Sequence, residues 1–153
     1  MDGLAECGIE PDEALVLWLT GEDDAANAEL LQRYLDRRQP TAVIFASWVW
    51  AKAIAPLTRS GRLVVPRDLS VITFDQQPAV ETWLGHVRPT VLAIPLVEMG
   101  QGLAHMARNL ATGLPVSPVT TLACELIQGD SVQDLTVPSG DGEALVKSSS
   151  LAE

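Results

Sequence analysis

The chain has 153 residues, of which 47% are hydrophobic, enough for one globular domain with a hydrophobic core. Its 20 acidic and 10 basic residues give a formal charge of −10, which argues against direct nucleic-acid binding, since that needs clustered Lys and Arg. No segment approaches the roughly 18 apolar residues that span a membrane. The chain starts with an acidic stretch, not the basic one of a secretion signal, so we expect a cytoplasmic protein without membrane contact.

Metal and cofactor chemistry is not indicated by the residue types present. Cys7 and Cys124 are isolated, so they form neither a disulfide framework nor a metal site, and we expect both to be buried as small apolar residues. His86 and His105 lack further ligands at helical spacing and are interpreted as structural or surface residues. We therefore predict no metal and no cofactor.

The first half of the chain alternates apolar runs with helix-like stretches. Residues 14–19 (ALVLWL) are typical of a strand buried on both faces, and acidic residues then introduce a helix over residues 25–38, which Pro40 ends. Residues 41–46 predict a second buried strand. Ser47 is suited to cap a helix that runs to about residue 60, with a kink or an early end at Pro56.

The second half continues the same pattern. Residues 69–74 predict a third strand, with Asp75 just past its end, followed by a loop or short helix over residues 76–88. After a short extended piece at 90–94, apolar residues spaced by three and four predict a helix over residues 95–112. Residues 119–127 predict a last extended segment. The Ser-, Gly- and Asp-rich residues 130–153 are expected to form a disordered tail.

This order of elements predicts an α/β fold with a parallel sheet and helices on both faces. Ligands of such sheets bind at the carboxyl ends of the strands. The residues that follow the three predicted strands there are Thr20 and Gly21, Ser47 and Trp48, and Asp75 and Gln76.

Three motifs in chain order resemble the LacI/GalR family of transcription regulators. Residues 62–76 (RLVVPRDLSVITFDQ) are similar to the signature Leu-x-Val-Pro-x-Asp-x-Ser-Val-x-Gly-Phe-Asp-Asp, although Thr73 replaces its Gly. Residues 40–53 (PTAVIFASWVWAKA) resemble Pro-Thr-Ala-x-Phe-Ala-Asn-Asp-x-x-Ala-x-Gly. Residues 95–104 (PLVEMGQGLA) resemble Pro-x-x-Glu-Met-Gly-x-x-Ala.

The resemblance covers roughly residues 3–129 and implies a periplasmic-binding-protein-like type I fold, with two lobes and an effector in the cleft. Residues 1–129 would be a partial effector-binding domain, mostly its C-terminal lobe. The helix at 95–112 would normally pack on the N-terminal lobe, so its apolar face is expected to be exposed when that lobe is absent.

The resemblance also implies roles for individual residues. Asp75 matches an Asp that contacts sugar hydroxyls, and Gln76 stands in place of a second Asp. A plain turn at a strand end is the alternative for Asp75. Ser47 and Trp48 replace an Asn and an Asp, so they are further effector-binding candidates. Ser47 is equally suited to helix capping, and Trp48 to stacking on a sugar ring or packing against the other lobe.

The family's dimer interface uses the helix after Ser47 and the Asp75 loop. Candidate interface residues are Trp50, Ile54, Leu57 and Trp83, and packing against the sheet is the alternative for this apolar stripe.

The resemblance implies that a sugar-like small molecule controls DNA binding allosterically in a homodimer, and that DNA is contacted only through a headpiece absent from this chain, of LacI or GntR type. The alternative is a sugar-binding protein of a transport system with the same fold. An enzyme is not expected, because the chain has no glycine-rich phosphate loop and no nucleophile elbow.

Overall fold

The computed structural model describes residues 6–10, 12–19, 23–75 and 77–135. Within these ranges the chain includes two 3₁₀ segments, Glu13–Leu15 and Trp48–Ile54, together with four α-helices and four strands. The helices are α1 Asp24–Arg38, α2 Ala55–Arg59, α3 Pro78–Trp83 and α4 Leu96–Ala111. The strands are β1 Ala42–Phe45, β2 Ser70–Phe74, β3 Thr90–Ala93 and β4 Glu125–Ile127. Among the described residues, no helix is long and apolar enough to cross a membrane.

Helix α1 begins and ends where its sequence predicts. The Asp23 side chain accepts hydrogen bonds from the backbone N–H groups of Ala25 and Ala26, which satisfies two free donors of the first turn. At the other end Gln39 adopts a left-handed backbone with φ 47°, which stops the helix before Pro40. The helix buries Leu31 in the core.

The sheet has the strand order β1-β2-β3-β4. The first three strands are parallel, and β4 joins β3 in the antiparallel direction. Phe45, Thr73 and Val91 are register partners across the three parallel strands. All three side chains are buried and therefore define the face of the sheet that meets the core.

The described helices that pack on the sheet cover one face, not both as the sequence predicted. Helices α1, α2 and α3 and the Trp48–Ile54 helix pack against one another and supply the core together with that face. On the opposite face Ile44 is 65% exposed. The β-α-β order fixes parallel pairing, but it does not require that a covering helix be present on each side.

The strand predicted for residues 14–19 is wrong. Asp12 caps the 3₁₀ turn Glu13–Leu15, and the residues that follow join no strand ladder. Leu17 and Leu19 pack against the core while Trp18, between them, is 76% exposed. The in-and-out alternation of an extended segment is therefore present without the hydrogen bonds that would make it a strand.

The helix predicted after Ser47 divides into two pieces. Seven residues form the 3₁₀ helix Trp48–Ile54, and the five-residue helix α2 follows, with Pro56 in its first turn. Proline is tolerated there because the N–H groups of a first turn have no acceptor within the helix. Pro56 thus marks a change of helix type within a nearly continuous segment.

Helix α4 has no buried residue and makes no substantial contact with another described helix or strand. Leu96, Leu103 and Leu110 are 59%, 64% and 68% exposed. Within the part of the chain that the structure describes, the apolar face of this helix is exposed, as the sequence predicted.

The segment after β4 is held on the sheet by a buried serine. The Ser131 hydroxyl accepts a hydrogen bond from the Thr90 N–H (2.7 Å) and donates one to the Val71 carbonyl (2.6 Å). The Val71 N–H in turn donates to the Ser131 carbonyl (2.7 Å). Asp130 and Ser131, which were expected to belong to a disordered tail, therefore pack on the sheet, and residues 136–153 of the expected tail lie outside the described residues.

Candidate functional site

The loops that follow β1, β2 and β3 meet at one end of the sheet, which we call the carboxyl edge. The three strands are parallel, with Phe45 opposite Thr73 and Phe74 opposite Leu92, so their carboxyl ends lie at the same edge of the sheet. This edge carries Ser47 with Trp48 after β1 and Asp75 after β2, as the sequence predicted. Thr20, Gly21 and Gln76, which were expected at the same edge, lie outside the described residues.

Asp75 occupies a constrained position at the end of β2. Its backbone is left-handed, with φ 65°, and its N–H donates to the Leu92 carbonyl at 3.0 Å. This hydrogen bond extends the β2–β3 pairing by one residue. The left-handed backbone of Asp75 then turns the chain sharply. Asp tolerates the left-handed region better than most non-glycine residues, which explains how a carboxylate is held at this bend.

Ser47 does not cap the helix that follows it. Its backbone is extended, its side chain makes no capping hydrogen bond, and only its carbonyl accepts from the Trp50 N–H, at 3.1 Å. The capping interpretation is therefore wrong, because the 3₁₀ helix that follows is closed by backbone bonds. Ser47 is half-buried at the carboxyl edge.

Trp48 stacks on Trp83, which lies in the last turn of α3. The ring centroids are 6.0 Å apart and the ring planes differ by 15°. Such an offset parallel pair is a favourable aromatic arrangement. It links the loop after β1 to the helix after Asp75, and it covers part of the Trp48 ring that was a candidate for stacking on a ligand. The pairing joins residues 35 positions apart, and no local pattern in the sequence indicates it.

A cleft of about 370 Å³ lies beside the carboxyl edge, at the end of β3 and the start of α4. Its lining includes the apolar residues Ala93, Ile94, Pro95, Leu122 and Ala123. Glu98 and Glu125 supply two carboxylates. The sequence analysis named neither Glu98 nor Glu125 as a binding candidate. The signal in the sequence was that Glu98 comes shortly after the predicted extended piece at 90–94 and that Glu125 lies in the last extended segment. Among the described residues, no group of His, Cys, Asp or Glu could hold a metal ion.

The four interface candidates fall into two classes. Ile54 and Leu57 are 0% and 7% exposed and belong to the hydrophobic core, so neither presents a surface to a partner chain. Their apolar spacing reflects packing against the sheet, as the alternative interpretation held. Trp50 and Trp83 are half-buried and retain exposed area. Cys7 and Cys124, which were expected to be buried, are both exposed.

Known proteins share both the sequence pattern and the fold. Residues 2–132 match the family described as the periplasmic binding protein-like domain. No curated protein matches the chain with significant similarity.

Among solved structures, the Escherichia coli transcriptional repressor ascG is 26% identical, with a TM-score of 0.64 over 86% of this chain and 47% of its own. A sugar-binding LacI-family regulator from Escherichia coli, complexed with phosphate, is also 26% identical, with a TM-score of 0.65 over 86% of this chain and 46% of its own. A complex of the regulator CelR with cellobiose is 28% identical, with a TM-score of 0.66 over 85% of this chain and 39% of its own.

The chain thus spans less than half the length of these regulators, which are not enzymes. The family match over residues 2–132, together with the three motifs and the shared fold, identifies the chain as a member of the periplasmic binding protein-like domain family, in the form found in LacI-family transcriptional regulators.

Proposed function

We propose that this chain supplies one half of the effector cleft of a LacI-type transcriptional regulator and that it binds a sugar-like small molecule at its carboxyl edge. The observation that carries the proposal is the convergence of Asp75, Ser47 and Trp48 at that edge in a chain of this family. Open parallel sheets bind ligands at this position.

The chemistry of the edge suits a ligand with several hydroxyl groups. The Asp75 carboxylate has two oxygens, so it accepts hydrogen bonds from two neighbouring hydroxyls. Ser47 both donates and accepts, and the part of the Trp48 ring not covered by Trp83 offers an apolar surface. Cellobiose and phosphate occur in the similar structures, which makes them reasonable first probes.

The regulatory role follows from the same proposal. Effector binding would change the orientation of the two lobes and so bias DNA binding through a headpiece outside this chain. Trp50 and Trp83 remain the proposed contacts of a homodimer, without Ile54 and Leu57. Such a regulator acts on DNA, so its compartment would be the cytoplasm, and no enzymatic step is required.

An NMR titration of the chain tests this proposal, because NMR detects the weak binding expected of half a cleft. Adding cellobiose, lactose or phosphate at millimolar concentrations should shift the amide signals of Asp75 and Ser47 and the indole signal of Trp48. Asp75→Asn should lower the affinity for the bound sugar about tenfold, because an acceptor with full charge is lost. Asp36→Asn, at the opposite end of the sheet, is the matched control and should change nothing.

Shifts confined to other parts of the chain, or an Asp75→Asn variant with unchanged affinity, would contradict the assignment of the effector site. The same substitution in a complete regulator should raise the effector concentration needed for release from DNA by a similar factor.

A further inference from the structure

The stacked rings of Trp48 and Trp83 lie at the proposed effector site. Trp48 begins the 3₁₀ helix that follows β1, and Trp83 is the last residue of α3. Each indole packs partly against the hydrophobic core and keeps some exposed area. The motif that residues 40–53 resemble has Asp where this chain has Trp48, so the family resemblance does not imply this pair. The pair is a feature of this chain that needs its own explanation.

Packing fixes the orientation of the Trp48 ring. A tryptophan side chain turns about two single bonds, and among the described residues no hydrogen bond holds the Trp48 indole. The ring therefore takes its orientation from the hydrophobic core and from Trp83, whose centroid is 6.0 Å away and whose plane differs by 15°. Without the Trp83 ring, Trp48 would lose the contact on one of its faces and with it one restriction on its rotamer.

Trp83 is itself held by a hydrogen bond between two helices. The Thr58 hydroxyl of α2 donates to the Trp83 carbonyl at 2.7 Å, in a half-buried position. This bond joins α2 to the end of α3, where Val80 and the following Leu84 are buried in the core. Contacts therefore run without interruption from Thr58 through Trp83 to Trp48.

Helix α3 connects this aromatic pair to Asp75. Its first residue, Pro78, comes three positions after Asp75, and its last residue is Trp83. The same short helix thus joins the carboxylate at the end of β2 to the indole after β1. Two groups that are held in place before a ligand arrives bind a rigid ring more tightly, because less conformational freedom is lost on binding.

We propose that Trp83 is a positioning residue of the effector site, which holds the Trp48 ring so that it stacks on a pyranose whose hydroxyls bind Asp75. This inference rests on the proposed function and adds the ligand class, a sugar in its six-membered ring form. A flat indole suits the C–H groups on one side of such a ring, while the Asp75 carboxylate accepts from its hydroxyls. Trp83 acts through Trp48 and needs no contact with the ligand.

NMR relaxation of the indole N–H groups tests the positioning role without a ligand. The Trp48 indole should be as ordered as the surrounding backbone in the wild-type chain and clearly more mobile in Trp83→Ala. Trp83→Phe restores a ring and should recover most of the order. Trp18→Ala is the matched control, because it also removes an indole, but one that is 76% exposed and has no ring partner among the described residues.

A second variant keeps both indoles and tests the support of Trp83. Thr58→Val removes the donor to the Trp83 carbonyl and should increase the mobility of the Trp48 indole in the same direction, by a smaller amount. Thr58→Ser keeps the donor and should not. A merely structural role of Trp83 would change the stability of the chain but would leave the Trp48 indole as ordered as before.

Titration with cellobiose measures the consequence for binding. Trp83→Ala should weaken binding about fivefold and Trp83→Phe by less than about twofold, while Trp18→Ala changes nothing. A Trp48 indole that stays equally ordered in Trp83→Ala and Thr58→Val overturns the positioning role. An unchanged cellobiose affinity of Trp83→Ala, when Asp75→Asn binds more weakly, also overturns it.

Failure of the proposed function gives a different result. A wild-type chain that binds neither cellobiose nor lactose contradicts the effector site and, with it, the pyranose ligand. The relaxation data on the ligand-free variants still decide, in that case, whether Trp83 holds the Trp48 ring.

Discussion

Individual residues at the carboxyl edge depend on both near and distant neighbours. Asp75 follows a short apolar strand, so its place at the strand end could be predicted from the sequence. Its left-handed backbone and its bond to the Leu92 carbonyl depend on β3 lying alongside. The environment of Trp48 is set by Trp83, which only the packing of α3 brings near.

The buried hydroxyl of Thr73 is an unfavourable feature of the hydrophobic core. Its side chain is fully buried between Phe45 and Val91, and its hydroxyl has no hydrogen-bond partner among the described groups. Burying an unpaired hydroxyl is unfavourable. The LacI/GalR signature that residues 62–76 resemble has glycine at this position. The threonine therefore fills space that glycine would leave, but its hydroxyl stays without a hydrogen-bond partner among the described groups.

Replacing Thr73 by valine should therefore stabilise the fold by about 1 kcal/mol, because the shape is kept and the unpaired hydroxyl is removed. Thr73→Ser is the matched control, since it keeps the hydroxyl and loses a methyl group, and it should destabilise by about 1 kcal/mol. Urea unfolding measures both. Equal or reversed effects would mean that the Thr73 hydroxyl is satisfied in solution.

At the scale of elements, short segments are held by a few specific bonds. The segment after β4 reaches under β3 to β2, and it does so through Ser131 and through Gly129, whose N–H donates to the Thr90 hydroxyl. An added Cβ at Gly129 would overlap the carbonyl oxygens of Arg88 and Pro89, so only glycine allows this close approach.

Ser131→Ala should lower the free energy of unfolding by about 2 kcal/mol, because the Thr90 N–H and the Val71 carbonyl would be buried without the partner they now have. Ser117→Ala removes a single exposed hydrogen bond, to the Val119 carbonyl, and should change stability little. Chemical denaturation compares the two variants. Similar values for both would show that the segment after β4 is not coupled to the folding of the sheet.

Two helix caps of the same residue type should differ in importance. Asp23→Ala should cost about 1 kcal/mol, because it uncaps α1, which buries Leu31 in the core. Asp12→Ala uncaps the single 3₁₀ turn Glu13–Leu15, which buries no residue, and should cost much less. Thermal unfolding of the two variants tests the order, and a larger effect at Asp12 would reverse the argument.

At the scale of the whole molecule, the described residues form a hydrophobic core that helix α4 does not join. Helix α4 presents a broad apolar face that no described residue covers. The similar regulators are more than twice the length that this chain spans. We therefore expect the second lobe of a complete effector-binding domain to cover this face.

Leu103→Glu should have little effect on the stability of the present chain, where Leu103 is 64% exposed. In a complete domain it should cost about 2 kcal/mol or more, since a charge would be placed in an apolar contact. Gln101→Glu, an exposed polar position on the same helix, is the control in both contexts. An equally small effect of Leu103→Glu in the complete domain would show that this face stays uncovered there.

The sequence by itself determined the α/β class, the family, the approximate bounds of the first and last long helices and of the three strands from residue 41 to residue 94, and the place of Asp75 at a strand end. Local patterns suffice for these features, because side-chain periodicity and capping act within a few residues. Only the tertiary structure decided that residues 14–19 stay outside the sheet, that Trp48 pairs with Trp83, and that Ile54 and Leu57 are core. Each of these depends on contacts between elements distant in sequence, where packing and not local pattern selects the arrangement.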